Sequence, residues 1–262
     1  MRDVHFFSIF SCVGDRMIDR ASRLRLFIKE ELYIGLDIDL SVEQAKYLFK
    51  VMRLNVGQTI NIIDGNTGEY RAKITIKGTR SGKLLVKEKI SELIKPPNLW
   101  LLFSPLRKNR TEWVVEKATE LGVRRMIPVI TARTVNVNVR IQRLKMIMIE
   151  ALEQCGGTFL PTLAEPISIV DCLNFWPSDR TLNFCDESLS AKTDVNNFFK
   201  RQRNKESAIL IGPEGGFTET EVQLIKQKKN VVSVSLGPRI LRADTAAVAA
   251  ISIWQNVDKN SE

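Results

Sequence analysis

Apolar residues fall along this chain in two rhythms, and the change between them comes at Pro96-Pro97. Before the prolines, short apolar-rich runs at 24–28, 59–64, 70–76 and 84–90 are separated by turns, which predicts strands. Asp64-Gly65-Asn66-Thr67-Gly68 lies between the second and third runs and is a hairpin signal, because Gly and Asn tolerate the positive φ of tight turns. One helix interrupts at 41–52, with Ser41 as its cap. Ala45, Leu48 and Val51 share its apolar face, and Lys46, Lys50 and Arg53 flank it. These elements predict a small β-barrel-like domain over 21–95, preceded by an extension at 1–20 and closed by the stiff diproline linker.

Beyond the linker, strands and helices alternate over 96–262, the pattern of a mostly parallel sheet covered on both faces. Strands are expected at 99–103, 126–130, 180–185, 208–211 and 231–236. A helix at 112–121 has Val114, Ala118 and Leu121 on its apolar face and stops at Gly122. In the next helix Leu144, Ile147, Met148, Ala151 and Leu152 repeat at helical spacing before Gly156-Gly157 ends it, and a last helix is expected at 244–255.

Composition narrows the chemistry. The 262 residues carry 39 Lys+Arg against 30 Asp+Glu, a net charge of +9, which favours a polyanionic partner. Cys12, Cys155, Cys172 and Cys185 are widely spaced, so neither a zinc site nor a disulfide framework is indicated, and reduced thiols in a cytosol are expected. The single histidine, His5, lies in the N-terminal stretch, which excludes His-based triads and multi-histidine metal sites. Phe6, Phe7, Ile9 and Phe10 form an apolar run too short, and too close to Asp3 and Asp15, to read as an export signal. Met17 offers an alternative start that would leave 1–16 outside the folded unit.

Two strand ends carry glycine loops. Ile209-Leu210-Ile211 runs into Gly212-Pro213-Glu214-Gly215-Gly216, then into a helix marked by a Thr218/Glu221 capping box and a Phe217/Val222 staple. Glycines at a strand's carboxyl end let backbone amides approach a ligand closely, as nucleotide-like cofactors require. Neither a dinucleotide fingerprint nor a P-loop is present, and a tight strand-to-helix turn is the alternative reading. The second loop, Gly237-Pro238-Arg239-Ile240-Leu241-Arg242-Ala243-Asp244-Thr245, brings two arginines suited to anion contact, while Asp244 or Thr245 could serve only as a helix cap.

Taken together, the stretch from Ile211 to Phe217 and the stretch from Leu236 to Ala246 resemble the paired signature of the 16S ribosomal RNA uracil-N3 methyltransferases, in the trefoil-knotted SPOUT superfamily. The run from Arg110 to Val123 resembles that family's first methyltransferase helix, and Glu153-Gln154-Cys155-Gly156 its next marker. The resemblance implies an α/β C-terminal domain with a knotted, mostly parallel sheet and an N-terminal PUA-like β-barrel that docks RNA. It implies S-adenosyl-L-methionine as cofactor, 16S rRNA in the small ribosomal subunit as partner, and a homodimer. By motif match, Gly212, Glu214, Gly216, Leu236, Gly237, Ile240 and Leu241 would hold the cofactor. The family usually has Glu where Asp244 stands and Arg where Gly157 stands, a loss that Arg133 or Arg140 could offset.

N3 methylation requires loss of a weakly acidic imide proton, with the base unpaired and aligned to the methyl donor. On this reading Arg242 stabilises the charge that develops on the base, and Asp244 positions Arg242 or takes the proton. Arg23, Arg25, Lys46, Lys50, Arg53, Arg107, Lys108 and Arg110 are the candidates for phosphate contact. A non-catalytic ribosome-assembly factor would also explain the charge and the barrel, but would leave both glycine loops without a purpose. A dinucleotide-dependent oxidoreductase would explain the sheet, but not the missing phosphate fingerprint.

Overall fold

The computed structural model describes residues 24–107, 109–186 and 206–256. His5, Cys12, Met17, Arg23, Lys108 and the whole 1–20 extension lie outside the described residues.

The N-terminal unit contains β1 (Arg25–Phe27), β2 (Asp37–Asp39), α1 (Val42–Lys46), β3 (Thr59–Ile63), β4 (Gly68–Lys77) and β5 (Gly82–Glu92). Its strands follow the order β1-β3-β4-β5-β2, with β1 and β3 parallel and the remaining pairs antiparallel. Register shifts along the β4–β5 pair bend these long strands, so the sheet curls around Leu26, Ile38, Ile60, Ile62, Ile74 and Leu84. Ser41 caps α1 in a reciprocal box with Gln44. The helix then widens into a π-turn over Tyr47–Val51. That wider turn overturns one expectation: Phe49 rotates into the core, and Val51 is left 63% exposed. The β3–β4 hairpin is organised by Asp64, whose Oδ1 accepts from the amides of Asn66 and Thr67, both at 2.8 Å.

The C-terminal unit contains β6 (Leu99–Phe103), α2 (Arg110–Glu120), β7 (Arg125–Ile130), α3 (Ile141–Cys155), β8 (Thr162–Leu163), β9 (Ile167–Ser168) and α4 (Ile169–Asn174). These are followed by β10 (Thr181–Cys185), β11 (Ser207–Ile211), α5 (Glu219–Lys226), β12 (Val231–Val234) and α6 (Ala243–Asn256). Among the described residues the sheet is parallel throughout, in the order β12-β10-β11-β6-β7-β8, with β9 beside β7. Alternation within each strand feeds two cores. Leu99, Leu101, Phe103, Ile209 and Ile211 pack with α2, α3 and α6, whereas Leu102, Ala208 and Leu210 pack with α4 and α5. All five periodic residues of α3 are buried, and Gly156 at φ 78° ends the helix in the left-handed conformation.

After β12, at the sheet's edge, the chain crosses the carboxyl ends of β10 and β11 and returns to lay α6 on β11 and α2. Crossed connections of this kind are rare, and this one agrees with the knotted, mostly parallel sheet and the PUA-like N-terminal barrel expected from the sequence.

The two units are joined through α3. Arg25, expected at an RNA phosphate, is instead buried: its terminal nitrogens donate to the carbonyls of Leu152 (2.8 Å) and Gly157 (2.6 Å), and Nε donates to Glu69 (3.1 Å). All three guanidinium nitrogens are committed inside the protein, through four of the five N–H donors, so the side chain is not available to a phosphate. The Phe27 amide donates to Glu153 at 2.7 Å, and the Leu160 amide donates to the Gly65 carbonyl at 3.0 Å.

Candidate active site

Because the strands of the C-terminal sheet, among the described residues, all point the same way, the loops leaving β6, β11 and β12 gather at one end, where β10 also ends. The order of strands reverses around β6, and clefts at the carboxyl ends beside such a reversal are where open α/β sheets bind ligands. A cavity of about 610 Å³ lies there, within the range of small-molecule sites.

Gly212 follows β11, and a Cβ on it would come within 2.6 Å of the Phe217 ring, so only glycine leaves that ring in place. Phe217 in turn meets Phe184 edge to face, with centroids 5.3 Å apart. The loop turns through Gly216, whose φ of 67° favours glycine, and the Gly216 amide donates to the Pro213 carbonyl at 2.9 Å. Thr218 and Glu221 form the expected capping box, which fixes the start of α5. Glu221 does more than cap, since its Oε1 also accepts from the Ala132 amide at 2.8 Å, and Arg133 donates to the Gly215 carbonyl at 2.8 Å. Arg107 is tied in by its backbone amide, which donates to Glu214 at 3.1 Å.

The second loop begins two residues earlier than the sequence pattern suggests, because β12 ends at Val234 and Gly237 adopts φ 122°. All seven motif-matched residues, Gly212, Glu214, Gly216, Leu236, Gly237, Ile240 and Leu241, line the cavity, and Arg242 lines it too. Sequence reasoning missed the floor supplied by β10, formed by Phe184, Cys185 and Asp186. Burial pushes the Cys185 thiol up to about 12, so it is a neutral wall group. Asp186 is buried and ion-paired to Lys226 of α5, Nζ to Oδ2, at 2.7 Å.

The polar candidates separate into groups. Lys46, Lys50 and Arg53 are exposed together on the surface of the first unit, and Arg107 is exposed beside the cavity. Arg110 lines the cavity itself. Asp244 is joined to Arg110 (Nε to Oδ2, 3.6 Å) and not to Arg242, which corrects the pairing expected from their proximity in sequence. The Gly157 position meets Leu152 and Cys155, and Arg140 is exposed at the start of α3.

The cavity fits S-adenosylmethionine on the structure's own terms. Gly212 and Gly237 leave room where a side chain would intrude or strain the backbone. Ile211, Leu236 and Leu241 supply an apolar bed for an aromatic base, and Asp186 and Glu214 supply carboxylates suited to a cationic, hydroxyl-bearing ligand.

The profile of an RNA methyltransferase domain matches residues 94–255, more than half of the chain, and that of an RNA methyltransferase PUA domain matches 40–86. The chain belongs to the RNA methyltransferase family. It is 30% identical to the ribosomal RNA small subunit methyltransferase E of Rickettsia conorii, over 87% of this chain and 93% of that protein. It is 32% identical to its counterpart in Synechocystis, over 87% and 76%. Among solved structures it is similar to the small subunit methyltransferase E of Neisseria gonorrhoeae bound to S-adenosyl methionine. That likeness has a TM-score of 0.79 at 28% identity and covers 89% of this chain and 97% of that one.

Proposed function

We propose that this chain transfers a methyl group from S-adenosylmethionine to N3 of a specific uridine in 16S rRNA. It acts as a homodimer on the small ribosomal subunit in the cytoplasm. Residues 21–95 dock RNA, and 96–262 carry the transfer. The observation that carries this reading is the cavity of about 610 Å³ between the 212–217 and 235–242 loops, lined by every residue of the paired glycine motifs assigned to the cofactor.

When bound, the cofactor supplies an electrophilic methyl group on a sulfonium. The chain's own work is orientation and electrostatics. The loop after β11 is braced from three directions, by Arg133, by Glu221 and by the Phe217–Phe184 contact, so the pocket is formed before any ligand arrives. Arg242 is exposed at the rim, where an entering RNA strand would meet it. Among the described residues no helix is long and apolar enough to cross a membrane.

Titration calorimetry tests the reading. S-adenosylmethionine binds and NAD does not. Binding of neither would favour an assembly factor, and binding of NAD alone would favour an oxidoreductase.

A further inference from the structure

The cations around the cavity are not equivalent. Arg239 and Arg242 are exposed on the 235–242 loop. Arg110 is the first residue of α2, and its side chain lies in the cavity wall, 35% exposed, with Nε 3.6 Å from Oδ2 of Asp244. Asp244 is only 19% exposed, and its Oδ1 accepts from the Thr245 amide at 2.9 Å, so both carboxylate oxygens have partners. Both ends of the pair sit on rigid elements. Asp244 lies in the first turn of α6, which packs on α2, and Thr111 clamps the start of α2 by hydrogen bonds to the amide (2.8 Å) and carbonyl (3.0 Å) of Leu106.

An ion pair this open adds little to stability, so its consequence is orientation. It engages Nε only. Among the described residues, no protein group takes the terminal nitrogens of Arg110, which leaves a planar fork of donors beside the cavity.

We infer that Arg110, held by Asp244, is the guanidinium that activates the acceptor base, and that Asp244 is its positioning residue and not the proton acceptor. The inference rests on the uracil-N3 reading above. Uracil N3–H lies between two carbonyls, and negative charge collects on their oxygens as the proton leaves. A guanidinium donating to one of them makes the imide more acidic, so solvent water can take the proton as hydronium. The N3 lone pair then forms the N–C bond to the methyl carbon while the C–S bond breaks, and its electron pair stays on sulfur. The imide's negative charge and the sulfonium's positive charge cancel. Arg110 stays protonated throughout and therefore acts by charge and direction alone.

The test uses the full chain, small ribosomal subunits lacking the methyl mark, and four variants: Arg110→Gln, Arg110→Lys, Asp244→Asn and Asp244→Glu. Single-turnover methyl transfer is followed against pH, and calorimetry gives the Kd of S-adenosylmethionine. Removing the guanidinium in Arg110→Gln lowers the rate by about 10²-fold, as loss of one preorganised charge donor does, while Kd stays within about twofold. Asp244→Asn lowers the rate by about tenfold and moves the rising limb of the pH–rate profile upward without removing it, and Asp244→Glu restores most of the rate. Arg110→Lys keeps the charge, loses the fork, and falls between wild type and Arg110→Gln.

Three results overturn the inference. Asp244→Asn could abolish both transfer and the pH limb while Arg110→Gln stays active, making Asp244 the base. Arg110→Gln could weaken cofactor binding yet turn over normally at saturation, making Arg110 a cofactor contact. All four variants could transfer at the wild-type rate. Failure of the wild-type chain to bind the cofactor or methylate the subunit would instead sink the underlying reading.

Discussion

Replacing Gly212 with alanine places a methyl group where the structure has no room. The new Cβ would lie 2.6, 3.1 and 3.2 Å from Cε2, Cδ2 and Cζ of Phe217. Carbon atoms prefer about 3.5–4.0 Å, so ring and loop must separate by roughly 1 Å. The ring is held by its edge-to-face contact with the buried Phe184, and the loop by Arg133 and Glu221. Overpacking of this kind costs about 1–3 kcal/mol. If the folded state absorbs the strain, Tm falls by roughly 2–12 °C, at about 2–4 °C per kcal/mol for a chain of this size. If the loop yields instead, the same energy appears as a weaker cofactor Kd, by about 5- to 150-fold. Thermal unfolding with and without S-adenosylmethionine, together with calorimetric titration, reads both. Adding Phe217→Leu removes the obstructing ring edge, so the double variant loses less than the sum of the singles. A Gly212→Ala protein with wild-type Tm and wild-type Kd would refute the reasoning.

Three further outcomes follow from the same geometry. Arg25→Met strands Glu69 and two carbonyls inside the protein, and denaturant unfolding registers a loss of about 3–5 kcal/mol; a loss under 1 kcal/mol would mean the site is wetter than described. Replacing Lys46, Lys50 and Arg53 with alanine weakens RNA binding and flattens its salt dependence, by roughly 0.7–0.9 in log–log slope per phosphate contact removed, whereas an unchanged slope places the RNA elsewhere. Burial pushes the Asp64 carboxyl up, but the hydrogen bonds it accepts from Thr67, Asn66 and Leu32 outweigh that and hold it below its ordinary 3.8. Its stabilisation is therefore present above about pH 3.8 and is lost as pH falls through the lower folded value. Asp64→Asn removes that acid-limb loss from the stability profile, and an unaltered profile would contradict the assignment.

Long periodic elements were legible before the structure. α3 shows five apolar positions at helical spacing and a glycine stop, and the capping box of α5 needs only local residues. Short elements carry too little pattern. β2 is a single apolar Ile38 between aspartates, and α4 has six residues. Val51 was misjudged because a π-turn changes the period that the spacing argument assumes. In the site, the glycine loops are contiguous in sequence and were found. The β10 floor and the Arg110–Asp244 pair depend on which strands and helices become neighbours, which local sequence does not encode. The same limit hid the fate of Arg25, whose acceptor Leu152 lies 127 residues away.

The central claim is that the cavity at the carboxyl ends of β10, β11 and β12 directs methyl transfer to one uracil N3. The most direct measurement incubates the full chain and labelled S-adenosylmethionine with small subunits lacking the mark, then maps the product by nuclease digestion and mass spectrometry. The account predicts one methyl group on N3 of a single 16S rRNA uridine, blocking its pairing edge. Methyl on a ribose oxygen or on another base, or no transfer at all, would contradict it.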